Sequence, residues 1–118
     1  MLTLSPRVQI FAATTVVDGR KGIDSLVAIV RDQWCDDPFS GHWFLFFSKQ
    51  FDRVRVLYWD INGFALWSKR IAKGRFHLPP SREINALIQQ LDATELSLLL
   101  SGTEVNSVKR QARWAPGR

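Results

Sequence analysis

Catalysis needs a nucleophile, a proton shuttle or a set of metal ligands at workable spacing, and this sequence offers few candidates. His42 and His77 stand alone, each more readily a surface or hydrogen-bonded imidazole than a ligand. Cys35 has no histidine near it and reads as a buried structural thiol. Asp36 and Asp37 are adjacent, so a regular backbone would point them apart; a solvated loop suits them better than an acid–base pair. Only a gathering of Asp18, Asp36 or Asp60 around a metal would revive an enzyme. There is no phosphate-binding glycine loop, no zinc spacing and no nucleophile elbow. The expectation is a protein that is not an enzyme and holds no cofactor and no metal.

Polyanion recognition is the other chemistry on offer. Sixteen Lys and Arg against eleven Asp and Glu leave a net charge of +5, with a pI near 10.0. Eleven of the sixteen are Arg, whose planar fork of donors matches a phosphate better than a lysine does. The charges are segregated along the chain. Residues 18–37 sum to −2, residues 49–82 to +6, residues 83–104 to −4 and residues 105–118 to +4. The candidate nucleic-acid-binding residues are Arg53, Arg55 and Arg70, with Lys73 and Arg75 extending the stripe and Lys109, Arg110 and Arg113 forming a basic arm. Arg20 and Lys21, in the turn Asp-Gly-Arg-Lys-Gly at residues 18–22, precede a helix and could add phosphate contacts. An ordinary strand-to-helix turn is the plainer account of that segment.

Elements must position these residues. Residues 8–13 suit a short strand. Ile23, Leu26, Val27, Val30 and Trp34 recur at helical spacing and predict an amphipathic helix over residues 22–33, ended by Pro38 and Gly41. Residues 42–48, His-Trp-Phe-Leu-Phe-Phe-Ser, are apolar on both faces and suit a strand covered on both sides. Residues 53–60 and 64–71 are two more strands. Residues 73–80 suggest a further short strand or a turn. Residues 81–91 are compatible with a helix or with a strand near 87–91. Asp92 and Glu95 have capping-box spacing ahead of Leu96, Leu98, Leu99 and Leu100, with Gly102 as the stop.

Asn62-Gly63 is a strong hairpin signal, because a type I′ turn needs positive φ at both central residues. Centred there, the turn pairs Tyr58 with Trp67, Val56 with Lys69 and Arg55 with Arg70. Alternation then gives a core face of Val54, Val56, Tyr58, Trp67 and Ile71, with Lys69 as the exception. The other face carries Arg53, Arg55, Leu57, Trp59, Leu66, Ser68 and Arg70. Like charges directly opposed are unfavourable unless an anion lies between them.

The chain's 118 residues, 46% hydrophobic and 23% charged, suit one soluble domain. The fold class expected is α+β: an antiparallel β-meander of three to five strands, one packed amphipathic helix and a short C-terminal helix. Residues 1–102 form the domain and residues 103–118 a basic, mobile tail. One cysteine excludes an internal disulfide and fits a reducing cytosol. No apolar run approaches membrane-spanning length and no export signal is legible, so the expected location is cytoplasmic, with no membrane partner.

Several of these stretches, taken in order, carry a resemblance. They are residues 18–22, Asp-Pro-Phe-Ser-Gly within 36–41, Asp-Arg-Val-Arg-Val-Leu-Tyr-Trp-Asp at 52–60, Asn-Gly-Phe at 62–64, Lys69-Arg70 and Gly-Arg-Phe at 74–76. Together they resemble the TnpB-type accessory protein of the insertion-sequence sixty-six group, over about residues 7–102. Phe51 departs from the family, which usually runs polar or glycine-rich there. The resemblance implies a bacterial cytoplasmic protein that assists transposition beside a separately encoded transposase, with DNA and that transposase as partners. It supplies no catalytic residue. A non-catalytic factor binding DNA through a basic sheet face is the first expectation, and a module docking on the transposase without touching DNA is the alternative.

Overall fold

A computed structural model describes residues 6–81 and 83–102. Strand β1 (Ile10–Ala13) leads through residues 18–22 into helix α1 (Ile23–Ala28), which widens into a π-helical turn at Ile29–Gln33. Then come β2 (Trp43–Phe47), β3 (Arg53–Asp60), β4 (Gly63–Arg70), β5 (Ile88–Leu91) and helix α2 (Ala93–Leu100). The strands form one sheet in the order β4-β3-β2-β1-β5.

The α+β class stands, with one departure from a meander. β1 runs parallel to β2, Ile10 beside Trp43, while the other three pairings are antiparallel. The physical reason lies between them: a helix joining two strands carries the chain back to the starting end, so the second strand can run alongside the first. β5 adds to the free side of β1, with Ile10 opposite Leu91. Residues 73–80 form no strand; they cross the sheet as irregular chain, anchored by the buried ring of Phe76.

Every residue of β2 is buried, as its two-sided apolar pattern predicts. On one side of the sheet Leu26, Val27 and Val30 pack on Phe44, Phe46 and Leu57. On the other, Phe76, Leu96 and Leu99 pack on Leu45, Phe47, Val54 and Val56. The sheet is therefore the middle of three layers, and the face carrying Arg55 is roofed by α1 rather than open. The Asp92–Glu95 capping box is formed in both directions, Asp92 accepting from Glu95 N and Glu95 from Asp92 N (2.7 and 3.0 Å).

The hairpin register differs from the expectation. Asp60 opposes Gly63, so Ile61 and Asn62 make the turn, and Arg70 faces Arg53 while Arg55 faces Ser68. Ile61 takes the positive φ (53°); Asn62 and Gly63 do not. Both registers keep each side chain on the same face, but the observed one sets Leu57 against Leu66, Val56 against Trp67 and Trp59 against Phe64. It gives Val56 and Leu57 the apolar partners Trp67 and Leu66 in place of Lys69 and Ser68. Lys69, the odd residue of the core face, reaches out to the C-terminus of α2, where its Nζ donates to Leu100 O (2.8 Å) and complements the helix dipole.

Candidate functional site

Three loops meet where β3 begins and β4 ends. Residues 18–22 are pinned from inside by Arg55, which is only 4% exposed. Its guanidinium donates to Lys21 O (2.5 Å) and Asp18 O (3.1 Å). Burial pushes the Arg55 guanidinium below its ordinary pKa; the charge of Arg53 adds to this and that of Asp18 opposes it. At the rim of the same loop Asp18 accepts from Arg20 Nη2 (2.8 Å) and from Arg20 N (2.9 Å). These hydrogen bonds hold the Asp18 carboxyl well below the usual carboxylate range.

The loop between β2 and β3 is closed by Ser48, whose Oγ donates to Asp52 Oδ1 (2.9 Å) and accepts from Arg53 N (3.1 Å). Phe51 takes a left-handed φ of 57°, and its ring stacks on Phe47 at 5.2 Å. That packing is why a phenylalanine serves where backbone geometry alone would favour glycine. The chain leaving β4 is laced to this loop: Ile71 N donates to Asp52 O (2.9 Å) and Phe76 N to Phe51 O (2.6 Å). Lys73 and Arg75, both exposed, lie between those two ties.

The arrangement brings Arg20, Lys21, Arg53, Arg70, Lys73 and Arg75 to one end of the sheet, with Lys49, which sequence reasoning did not single out. Arg53 and Arg70 are the directly opposed pair. Each has a weak companion: Arg53 Nε donates to Ser68 Oγ (3.3 Å), and Arg70 Nε lies 3.6 Å from Asp52 Oδ2 with 76% of its side chain exposed. Arg55, expected on an open face, points inward; the turn at 18–21 sits over it, which strand alternation cannot reveal. Lys109, Arg110 and Arg113 lie outside the described residues. Such an end presents several exposed guanidinium and ammonium groups to an anion.

The opposite end of the sheet differs in kind. Phe39, Trp59 and Phe64 pack on one another with ring centroids 5.0–5.2 Å apart. Phe39 is 57% exposed and Ile61, at the hairpin tip, 91%. Asp36, Asp37 and Asp60 flank them, Asp37 Oδ1 fixing the loop by accepting from Phe39 N (2.9 Å). The sequence signal for this cluster was the aromatic content on either side of the hairpin turn, together with Phe39 after Pro38.

The remaining candidates fall to local roles. His42 Nδ1 accepts from Gln9 N (2.9 Å). Asp36 and Asp37 belong to a hydrogen-bonded loop, Asp36 Oδ1 accepting from Asp37 N (2.8 Å). Cys35 is exposed, not buried: the helix ends at its loosened turn, Trp34 stacks inward on Phe46 (5.1 Å), and Cys35, with φ 52°, turns out. Among the described residues no three His, Cys, Asp or Glu side chains gather as a metal site would need, and no helix is long and apolar enough to cross a membrane. A concavity of about 670 Å3 beside β5 is lined in part by Glu83, Asp92 and Glu95, a setting that repels phosphate.

Comparison with known proteins adds the lineage. No solved structure matches the chain. The uncharacterized protein y4jC of Sinorhizobium fredii is 38% identical over 111 residues, covering 94% of this chain and 92% of its own. The uncharacterized protein y4hO of the same organism is 32% identical over 116 residues, covering 98% and 96%. The family described as IS66 Orf2 like protein matches residues 8–110. The sequence resemblance and the family match therefore agree, and the chain belongs to the IS66 Orf2-like family of insertion-sequence proteins accessory to transposition.

Proposed function

We propose that this protein is a non-catalytic, cytoplasmic accessory factor of transposition that grips the phosphate backbone of DNA with the basic end of its sheet. The observation that carries the reading is the lacing of three loops at that end. Backbone hydrogen bonds and the Arg55 pin hold the loops, leaving Lys21, Lys49, Arg70, Lys73 and Arg75 exposed together. Phosphate contacts of this kind position a protein on DNA without reading bases. The test is a salt titration of duplex binding by the wild type and by the Arg70→Gln, Lys73→Gln, Arg75→Gln triple variant. If all three touch phosphates, the slope of log affinity against log salt flattens by about three units, at about 0.9 per phosphate. An unaltered slope removes the reading.

A second reading, docking on the transposase, is favoured by the exposed Phe39 ring and Ile61 at the opposite end. It expects DNA affinity to be absent or indifferent to the triple variant. Co-purification with the transposase is then lost in Phe39→Ser with Ile61→Ser.

A further inference from the structure

β4 is a sheet edge. Among the described residues it pairs with β3 alone, and at eight residues it is twice the length of β5 at the other edge. Its ladder phase follows from Ile71 N donating to Asp52 O, one pair beyond Arg53 and Arg70. Hydrogen-bonded pairs alternate in an antiparallel ladder. The backbone groups of Ala65, Trp67 and Lys69 thus turn to β3, and those of Phe64, Leu66, Ser68 and Arg70 turn outward. The strand contains no proline. Its charges stand only at one end, and Phe64, Ala65, Leu66 and Trp67 are half-buried. Natural edges are usually shortened, bulged or charged along their length; among the described residues this one is an open template.

We propose that β4 pairs edge to edge, antiparallel, with β4 of a second copy of this chain, joining two five-stranded sheets into one. A two-fold axis perpendicular to the sheet keeps α1 on the same side in both copies, so outward-pointing residues must meet outward-pointing residues. One register gives all four a partner: Phe64 opposite Arg70, Leu66 opposite Ser68, and Trp67 beside its own copy. Charge complementarity selects the self-pair. Antiparallel pairing lays the basic end of each copy against the aromatic end of the other, which carries Asp60. Arg70 then meets the Phe64 ring, a cation–π contact made twice per dimer. The pairing rests on the outward backbone groups of β4, and it also engages Arg70 of the basic end.

Strand pairing alone buries little area, so dissociation lies in the micromolar-to-millimolar range. Sedimentation equilibrium of the full chain over that range should show a monomer–dimer equilibrium. Ser68→Pro removes an outward N–H while sparing the ladder to β3, so it should sediment as a folded monomer at every concentration. In a Cys35→Ser background, the Leu66→Cys, Ser68→Cys double variant should form a disulfide-linked dimer under mild oxidation. A wild type that stays monomeric throughout, as expected if the edge instead takes a strand of another protein, overturns the proposal. So does a folded Ser68→Pro that still dimerises. Should Ser68→Pro fail to fold, the cysteine variant decides alone: a linked dimer supports the proposal and its absence overturns it.

Discussion

The two ends of the sheet are built on opposite principles. At the basic end the chain is tied by hydrogen bonds, some from main chain to main chain and two from the buried Arg55, and the cations project beyond the ties. At the aromatic end three rings hold one another, and the tip is strained, an isoleucine in a left-handed conformation with its side chain in water. Like charges repel, so a basic surface must be held in place by something other than itself. Apolar rings cohere unaided and need only to be brought near one another. The ties from loop to loop at one end, and the short-range ones within residues 36–42 at the other, follow from that difference.

The comparison breaks first at Arg55. Arg55→Ala leaves the carbonyls of Asp18 and Lys21 without their donor and opens a space beneath the loop, at a cost of about 2–3 kcal/mol. Urea unfolding measures it. A loss below about 0.5 kcal/mol would mean that the basic end is not fastened from inside. Ile61→Gly acts in the other direction. Glycine accepts positive φ without strain, so this variant should gain about 1 kcal/mol of stability. If the transposase docks here, the same variant is more stable yet captures the transposase less well. The smallest effect is expected at Gly63→Val. Gly63 needs no positive φ, and an added Cβ meets nothing within 4 Å, so the change stays within about 0.5 kcal/mol. A large loss there would move the turn back onto Asn62-Gly63.

What could be read beforehand divides along physical lines. Patterns confined to a few neighbouring residues were legible: the two-sided β2, the α1 stripe, the α2 capping box, and which face each hairpin residue occupies. The hairpin register was not, because the Asn-Gly rule weighs only the turn and takes no account of the partners that Val56 and Leu57 receive. The parallel setting of β1 was within reach, since a strand, a helix and a strand in succession suggest a crossover. The inward turn of Arg55 was beyond reach. Its partners lie 34 and 37 residues away, and a guanidinium bonded to carbonyls leaves no complementary charge in the sequence to reveal it. The cationic end emerged only when three loops from distant segments were brought together.

The pairing of β5 with β1 has a consequence for how the protein is made. β1 is synthesised first, yet its outer neighbour arrives about eighty residues later, and closing so long a loop is slow. Until Leu91, Leu96 and Leu99 leave the ribosome, Ile10, Leu45, Phe47, Val54 and Val56 lack most of their cover. A nascent chain halted before residue 88 therefore carries one finished face and one sticky one, the kind of surface that chaperones bind and that drives aggregation. It is α2 that completes the cover of that face, through Leu96 and Leu99.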